Sequence, residues 1–65
     1  MSLISPLAII EDGAIIADNV EIAAHCFISS QTTIGEGTTI AHGACIYGKT
    51  TIGKNNRIFS HAVLG

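Results

Sequence analysis

A branched aliphatic residue recurs at every sixth position along this chain. The series consists of Ile4, Ile10, Ile16, Ile22, Ile28, Ile34, Ile40, Ile46, Ile52, Ile58 and Leu64. A helical period of 3.6 residues would scatter these side chains around the helix circumference. Six is instead a multiple of the two-residue period of a β-strand, so all of them can lie on one face. The spacing predicts a series of short strands that point their aliphatic side chains the same way.

Two further columns complete the six-residue unit. Two positions before each aliphatic residue most side chains are small: Ala8, Ala14, Val20, Cys26, Thr32, Thr38, Ala44, Thr50, Asn56 and Ala62. Three positions after it, glycine and asparagine are frequent, as at Gly13, Asn19 and Gly37. Both residue types tolerate a positive φ. Each unit is therefore predicted to be a short strand followed by a turn, with one large and one small side chain pointing inward.

A longer period of eighteen residues groups these units in threes. The segment Thr32-Thr33-Ile34-Gly35 recurs as Thr50-Thr51-Ile52-Gly53. Three units can close a triangular coil, and residues eighteen apart would then stack in parallel register about 4.8 Å apart. We predict an all-β, parallel β-helix of hexapeptide repeats with about three and a half triangular coils, forming a single domain over residues 1–65. The inward columns would be Ile4/22/40/58, Ile10/28/46/Leu64 and Ile16/34/52.

A small antiparallel sandwich is the competing fold. It requires hairpin turn signals between strands of alternating polarity. Only weak signals of that kind occur here, and a sandwich gives no reason for a repeat of six residues. The β-helix is therefore the preferred prediction.

Composition narrows the possible functions. The net charge is −2 with three basic residues, so the chain lacks the basic footprint expected for binding nucleic acid or anionic lipid. Its apolar runs are far shorter than a membrane span, and no signal peptide is expected at the first residues. The two cysteines form no zinc-binding pattern. We expect a cytoplasmic protein with reduced thiols, no membrane insertion and no nucleic-acid partner.

The size of the chain predicts self-association. A chain of 65 residues buries only about 60% of its unfolded surface, so a monomer is marginally stable. The alternation also places several large apolar side chains on the outside of the coils. These are Ile9, Ile15, Phe27, Phe59 and Val63. Burying them against identical chains would supply the missing stability.

The repeated units resemble those of the hexapeptide-repeat transferases, as in Ile34-Gly35-Glu36-Gly37-Thr38-Thr39 and Ile52-Gly53-Lys54-Asn55-Asn56-Arg57. That resemblance implies a left-handed β-helix and a homotrimer; the general rule for crossovers would favour the right hand. A more specific resemblance is to the N-terminal coils of the UDP-N-acetylglucosamine acyltransferases of lipid A biosynthesis. It is carried by residues 6–14, 34–38, 52–56 and 62–65.

The acyltransferase resemblance implies two partners, acyl carrier protein and UDP-N-acetylglucosamine, and an acyl transfer between them. Several positions depart from the family pattern, among them Ala23-Ala24, Ser29-Ser30 and Gly43. The catalytic histidine of the family lies beyond residue 65, so no catalytic residue can be assigned here. The chain is predicted to act as a scaffold and trimerisation unit, with no activity alone. The alternative is a non-catalytic, self-assembling structural β-helix module, natural or engineered.

The reactive side chains support no site assignment. His25 and His61 are two coils apart, roughly 10 Å, which is too far for a shared metal within one chain. Three copies of one histidine could meet on a three-fold axis and bind zinc or nickel, but exposed turn histidines are the preferred interpretation. His42, lying one position off that column, is equally not assigned as a base. We therefore predict no catalytic, cofactor-binding or metal-binding residue and no cofactor.

The remaining candidates have structural interpretations. Cys26 is predicted to point inward and Cys45 outward, a geometry that disfavours a disulfide between them. The acidic residues are spread singly and are expected in solvated turns: Glu11, Asp12, Asp18, Glu21 and Glu36. Three glycines lack the Lys-Ser/Thr pair and helix of a phosphate loop and are predicted to serve turn geometry: Gly35, Gly37 and Gly48.

Overall fold

The computed structural model describes residues 2–65, and within them every regular element is a short β-strand. The strands are β1 Leu3–Ile4, β2 Ile9–Ile10, β3 Ile15–Ile16, β4 Glu21–Ile22, β5 Phe27–Ile28, β6 Thr32–Ile34, β7 Thr39–Ile40, β8 Cys45–Ile46, β9 Thr50–Ile52, β10 Arg57–Ile58 and β11 Val63–Leu64. Each strand ends on a member of the aliphatic series. The part of the chain that the structure describes has no helix long and apolar enough to cross a membrane.

The strands form three parallel sheets that make the walls of a β-solenoid. Sheet A has the order β1-β4-β7-β10, sheet B the order β2-β5-β8-β11 and sheet C the order β3-β6-β9. Every pairing joins residues eighteen apart, such as Ile22 with Ile40 and Ile28 with Ile46. The predicted β-helix and its three aliphatic columns are confirmed. Its handedness stays a prediction.

The core is a column of isoleucines interleaved with small side chains. Ile22, Ile28, Ile34, Ile40 and Ile46 are at most 2% exposed. The small inward residues of the same coils are buried beside them: Val20, Cys26, Thr32, Thr38 and Ala44. The first coil is covered on one side only, and Ile4 is 42% exposed. The predicted pairing of one large and one small inward side chain is confirmed for the five units that end at Ile22 to Ile46, whereas Asn56 in the last coil is exposed.

Hydrogen bonds satisfy the polar groups inside the tube, as burial requires. The Thr38 hydroxyl donates to the Gly53 carbonyl of the next coil at 2.7 Å. The Ser29 and Thr32 hydroxyls lie 2.8 Å apart, and Ser29 also donates to the Gly48 carbonyl at 2.7 Å. Within residues 2–65, every buried side-chain nitrogen or oxygen has a hydrogen-bond partner. Threonine thus fits the small inward column because its hydroxyl finds a partner there, the Gly53 carbonyl of the next coil for Thr38 and the Ser29 hydroxyl for Thr32.

The corners between sheets use left-handed backbone, as the glycine and asparagine column predicts. Positive φ angles occur at Gly13, Asn19, His25, Gly37, Gly43, Asn55 and His61. Leu7, Gln31 and Lys49 share the column but not the conformation. In the turn after β8 the residue with positive φ, 65°, is Gly48, which comes one position before the column residue Lys49. A hydrogen bond from the Ser29 hydroxyl to the Gly48 carbonyl stabilises this turn.

The prediction that Gly35 serves turn geometry is wrong. Glycine is needed at this position because the backbones of two successive coils approach closely there. Its φ lies outside the left-handed region, but a Cβ atom there would lie 2.7 Å from the carbonyl carbon of Gly53. The other two glycines behave as predicted, since φ is 77° at Gly37 and 65° at Gly48. Gly35 is therefore required by the backbone stacked on it.

Replacing Gly35 and Gly53 separately by alanine tests this packing. The two glycines hold equivalent positions one coil apart, but a Cβ at Gly53 would meet only the Asn56 side-chain nitrogen, at 3.3 Å. Gly35→Ala should lower the free energy of unfolding by about 1–3 kcal/mol, because the backbone of the next coil must shift. Gly53→Ala should change it by no more than about 0.5 kcal/mol. Urea unfolding followed by circular dichroism measures both, and equal effects would contradict the assignment.

Candidate functional site

The outer surface of the solenoid is the place for function, because the isoleucines and their small partners fill the inside. Outward side chains alternate with the inward ones along each strand. Sheet A presents Leu3, Glu21, Thr39 and Arg57 in one outward row, and sheet C presents Ile15, Thr33 and Thr51. Both rows combine an apolar side chain with polar or charged ones.

Sheet B differs because its outward row is apolar throughout. The row runs Ile9, Phe27, Cys45 and Val63, each stacked on the next by parallel pairing. Tyr47 follows β8 and its ring lies 5.4 Å from that of Phe27, centroid to centroid. We call these five residues the sheet B face. Ile9 is 62% exposed, Val63 is 67% exposed, and Tyr47 is 48% exposed.

The predicted outward positions are confirmed, and the structure sorts them by location. Ile9, Phe27 and Val63 share sheet B, whereas Ile15 lies on sheet C and is 63% exposed. Phe59 follows β10 at the end of sheet A and is 72% exposed. Tyr47 is not among the predicted outward residues. Its position directly after the inward Ile46 is the signal that could have found it, since strand alternation turns that residue outward.

The two cysteines lie on opposite sides of the sheet B wall, as predicted. Cys26 is buried in the core, and its thiol donates to the Ala41 carbonyl at 3.1 Å. Cys45 is half-buried on the outside, and both thiols are free. Cys26 therefore acts in packing, while Cys45 belongs to the sheet B face.

Cys45 perturbs the phenol beside it. A hydrogen bond to Cys45, the main cause, raises the pKa of Tyr47 above 10.0, its ordinary value. The electrostatic interaction with Cys45 and partial desolvation act in the same direction. All three effects disfavour the tyrosinate.

All three histidines lie at the corner between sheets A and B. His25, Gly43 and His61 occupy equivalent positions in successive coils, as predicted, and His42 precedes Gly43. The rings of His42 and His61 are 5.3 Å apart with an interplanar angle of 84°. This contact is not predicted by the eighteen-residue period. Two backbone bonds at this corner join residues nineteen apart, from the Gly43 N–H to the Ala24 carbonyl at 3.1 Å and from the His61 N–H to the His42 carbonyl at 3.2 Å. A search at that spacing would have revealed the contact.

The acidic residues make few contacts of chemical interest. The Glu11 carboxylate accepts a hydrogen bond from the Ser30 N–H at 3.0 Å, across two stacked turns. Within residues 2–65, no group of three or more His, Cys, Asp or Glu side chains is arranged to hold a metal ion. The expectation that the chain holds no catalytic, cofactor-binding or metal-binding residue stays a prediction.

A comparison with protein families now identifies the class of protein. Residues 31–65 match the family described as bacterial transferase hexapeptide (six repeats). The match covers more than half of the 65 residues, so this chain belongs to the hexapeptide-repeat transferase family. No curated protein matches the chain.

Changing Cys45 to alanine tests the influence of that thiol on Tyr47. The substitution removes the hydrogen bond and the charge, so the pKa of Tyr47 should fall toward its ordinary value. Tyr47 is the only tyrosine in the chain, so its ultraviolet absorbance reports a single group. Cys45→Ser is the matched control, since it keeps a hydrogen-bonding partner but forms no thiolate, and it should give an intermediate pKa. An unchanged titration in both variants would show that Cys45 has no such effect.

Proposed function

We propose that this chain is the N-terminal β-helix of an acyltransferase that moves an acyl group from acyl carrier protein to UDP-N-acetylglucosamine, as in lipid A biosynthesis. Its role there is that of scaffold and trimerisation unit. Family membership supports the broader class, and the resemblance over residues 6–14, 34–38, 52–56 and 62–65 supports the particular reaction. A cytoplasmic location, consistent with two free thiols, is part of the same proposal.

The apolar sheet B face is the observation that carries the trimerisation role. Its members stack along the whole height of the solenoid, with Ile9 and Val63 more than 60% exposed. Contiguous apolar surface of this kind marks an association site in soluble proteins. The rows on sheets A and C include charged or hydroxyl side chains in every coil but the first. Self-association through sheet B therefore buries the most apolar surface available.

Two matched substitutions test the interface. Ile9 and Ile15 are 62% and 63% exposed. Each begins a strand of the first coil, Ile9 on sheet B and Ile15 one hexapeptide later on sheet C. Ile9→Glu should weaken trimer formation by at least about tenfold, because it places a charge in the buried interface. Ile15→Glu should leave it within about twofold. Sedimentation equilibrium measures the association constant. A monomeric wild-type chain, or equal effects of the two substitutions, would contradict the proposed interface.

A chimera tests the proposed reaction. This chain replaces the corresponding N-terminal coils of an active UDP-N-acetylglucosamine acyltransferase, and acyl transfer from acyl carrier protein is measured by mass spectrometry. We expect turnover from the folded chimera and none from this chain alone. A chimera that forms trimers but transfers no acyl group would favour the alternative, a structural β-helix module without a role in catalysis.

A further inference from the structure

His42 and His61 form a pair of neighbouring imidazoles on one protomer. Their ring centroids are 5.3 Å apart and their planes nearly perpendicular. Both residues are exposed, so neither ring is needed to fill the core. The proposed trimer uses the sheet B face, and neither histidine belongs to that face. The pair is therefore a surface feature that the proposed function does not explain.

The backbone fixes the two histidines next to each other. The His61 N–H donates to the His42 carbonyl at 3.2 Å, which joins one coil to the next. His61 itself has a φ of 61°, the left-handed conformation of the corner. Gly43 lies beneath the His61 ring, and a Cβ there would be 2.6 Å from the ring nitrogen Nδ1. Glycine at position 43 thus provides the space in which the His61 ring lies.

The separation of the rings matches that of two imidazoles bound to one metal ion. Zinc binds a histidine nitrogen at about 2.0–2.1 Å with tetrahedral geometry, which places two ring centroids roughly 5 Å apart. Imidazole is a preferred ligand of Zn²⁺, Ni²⁺ and Cu²⁺. We propose that His42 and His61 form a two-histidine binding site for a divalent transition-metal ion. Water completes the coordination, and rotation of the exposed side chains turns one nitrogen of each ring toward the ion.

This site differs from a metal on a three-fold axis. It takes both ligands from one chain, so it binds one ion per chain and does not depend on the proposed trimer. His25 provides the internal comparison, because it occupies the same corner column as His61 with nearly the same φ, 62°. Two coils separate it from His61, roughly 10 Å, which is too far to share the ion.

Titration of the purified chain with Zn²⁺ alone, followed by isothermal calorimetry, tests the site. The wild-type chain should bind one ion per chain. His42→Asn and His61→Asn should each weaken binding by at least about tenfold, since each removes one of two protein ligands. His25→Asn should leave the affinity within about twofold. Asparagine tolerates a positive φ, so the variants at positions 25 and 61 keep their turns, and circular dichroism verifies that each variant is folded.

Three results would overturn the proposal. They are the absence of Zn²⁺ binding by the wild-type chain, a loss of affinity in His25→Asn equal to that in His61→Asn, and a stoichiometry of one ion per three chains. The last result would indicate a site on a three-fold axis. A heteronuclear NMR spectrum of the imidazole nitrogens adds an independent readout, in which Zn²⁺ should shift a nitrogen of both His42 and His61 and none of His25.

Discussion

Stacking of one isoleucine on the next, eighteen residues later, is the interaction on which the rest of the structure depends. Ile22 lies against Ile40 and Ile28 against Ile46, and all four are almost completely buried. Each buried isoleucine contributes about 1.5–3 kcal/mol relative to an exposed one. A strand of two residues has no stability of its own, so it exists only because the coils above and below pair with it.

The close spacing of the coils restricts which residue types fit at the other positions. Inward neighbours of the isoleucines must be small, and where they are polar, as at Thr38, the next coil supplies the acceptor. Gly35 lacks a side chain because the Gly53 backbone occupies the space. Because the inside is filled, only the outward positions can vary in residue type. On sheet B the outward residues form an apolar face, and at the adjacent corner they include the histidines.

Most of the fold follows from the sequence because its constraint is periodic. A repeat of six residues assigns every member of the aliphatic series to the inside, and a repeat of eighteen assigns Ile34 and Ile52 to the same column. Contacts that break the period are harder to predict. The His42–His61 pair depends on a backbone bond that spans nineteen residues, and the turn at Gly48 depends on the Ser29 hydroxyl. Gly35 shows a further limit of prediction from sequence. Glycine is required both where two backbones approach closely and where a turn has a positive φ, and only the structure shows which of the two reasons applies.

Cross-strand nuclear Overhauser effects test the central claim most directly, since they report which backbones lie side by side. Parallel stacking predicts contacts between the strands of Ile22 and Ile40, and likewise between those of Ile28 and Ile46, each eighteen residues apart. Contacts between consecutive hexapeptides in antiparallel order, such as Ile22 with Ile28 across a hairpin, would contradict the stacked solenoid.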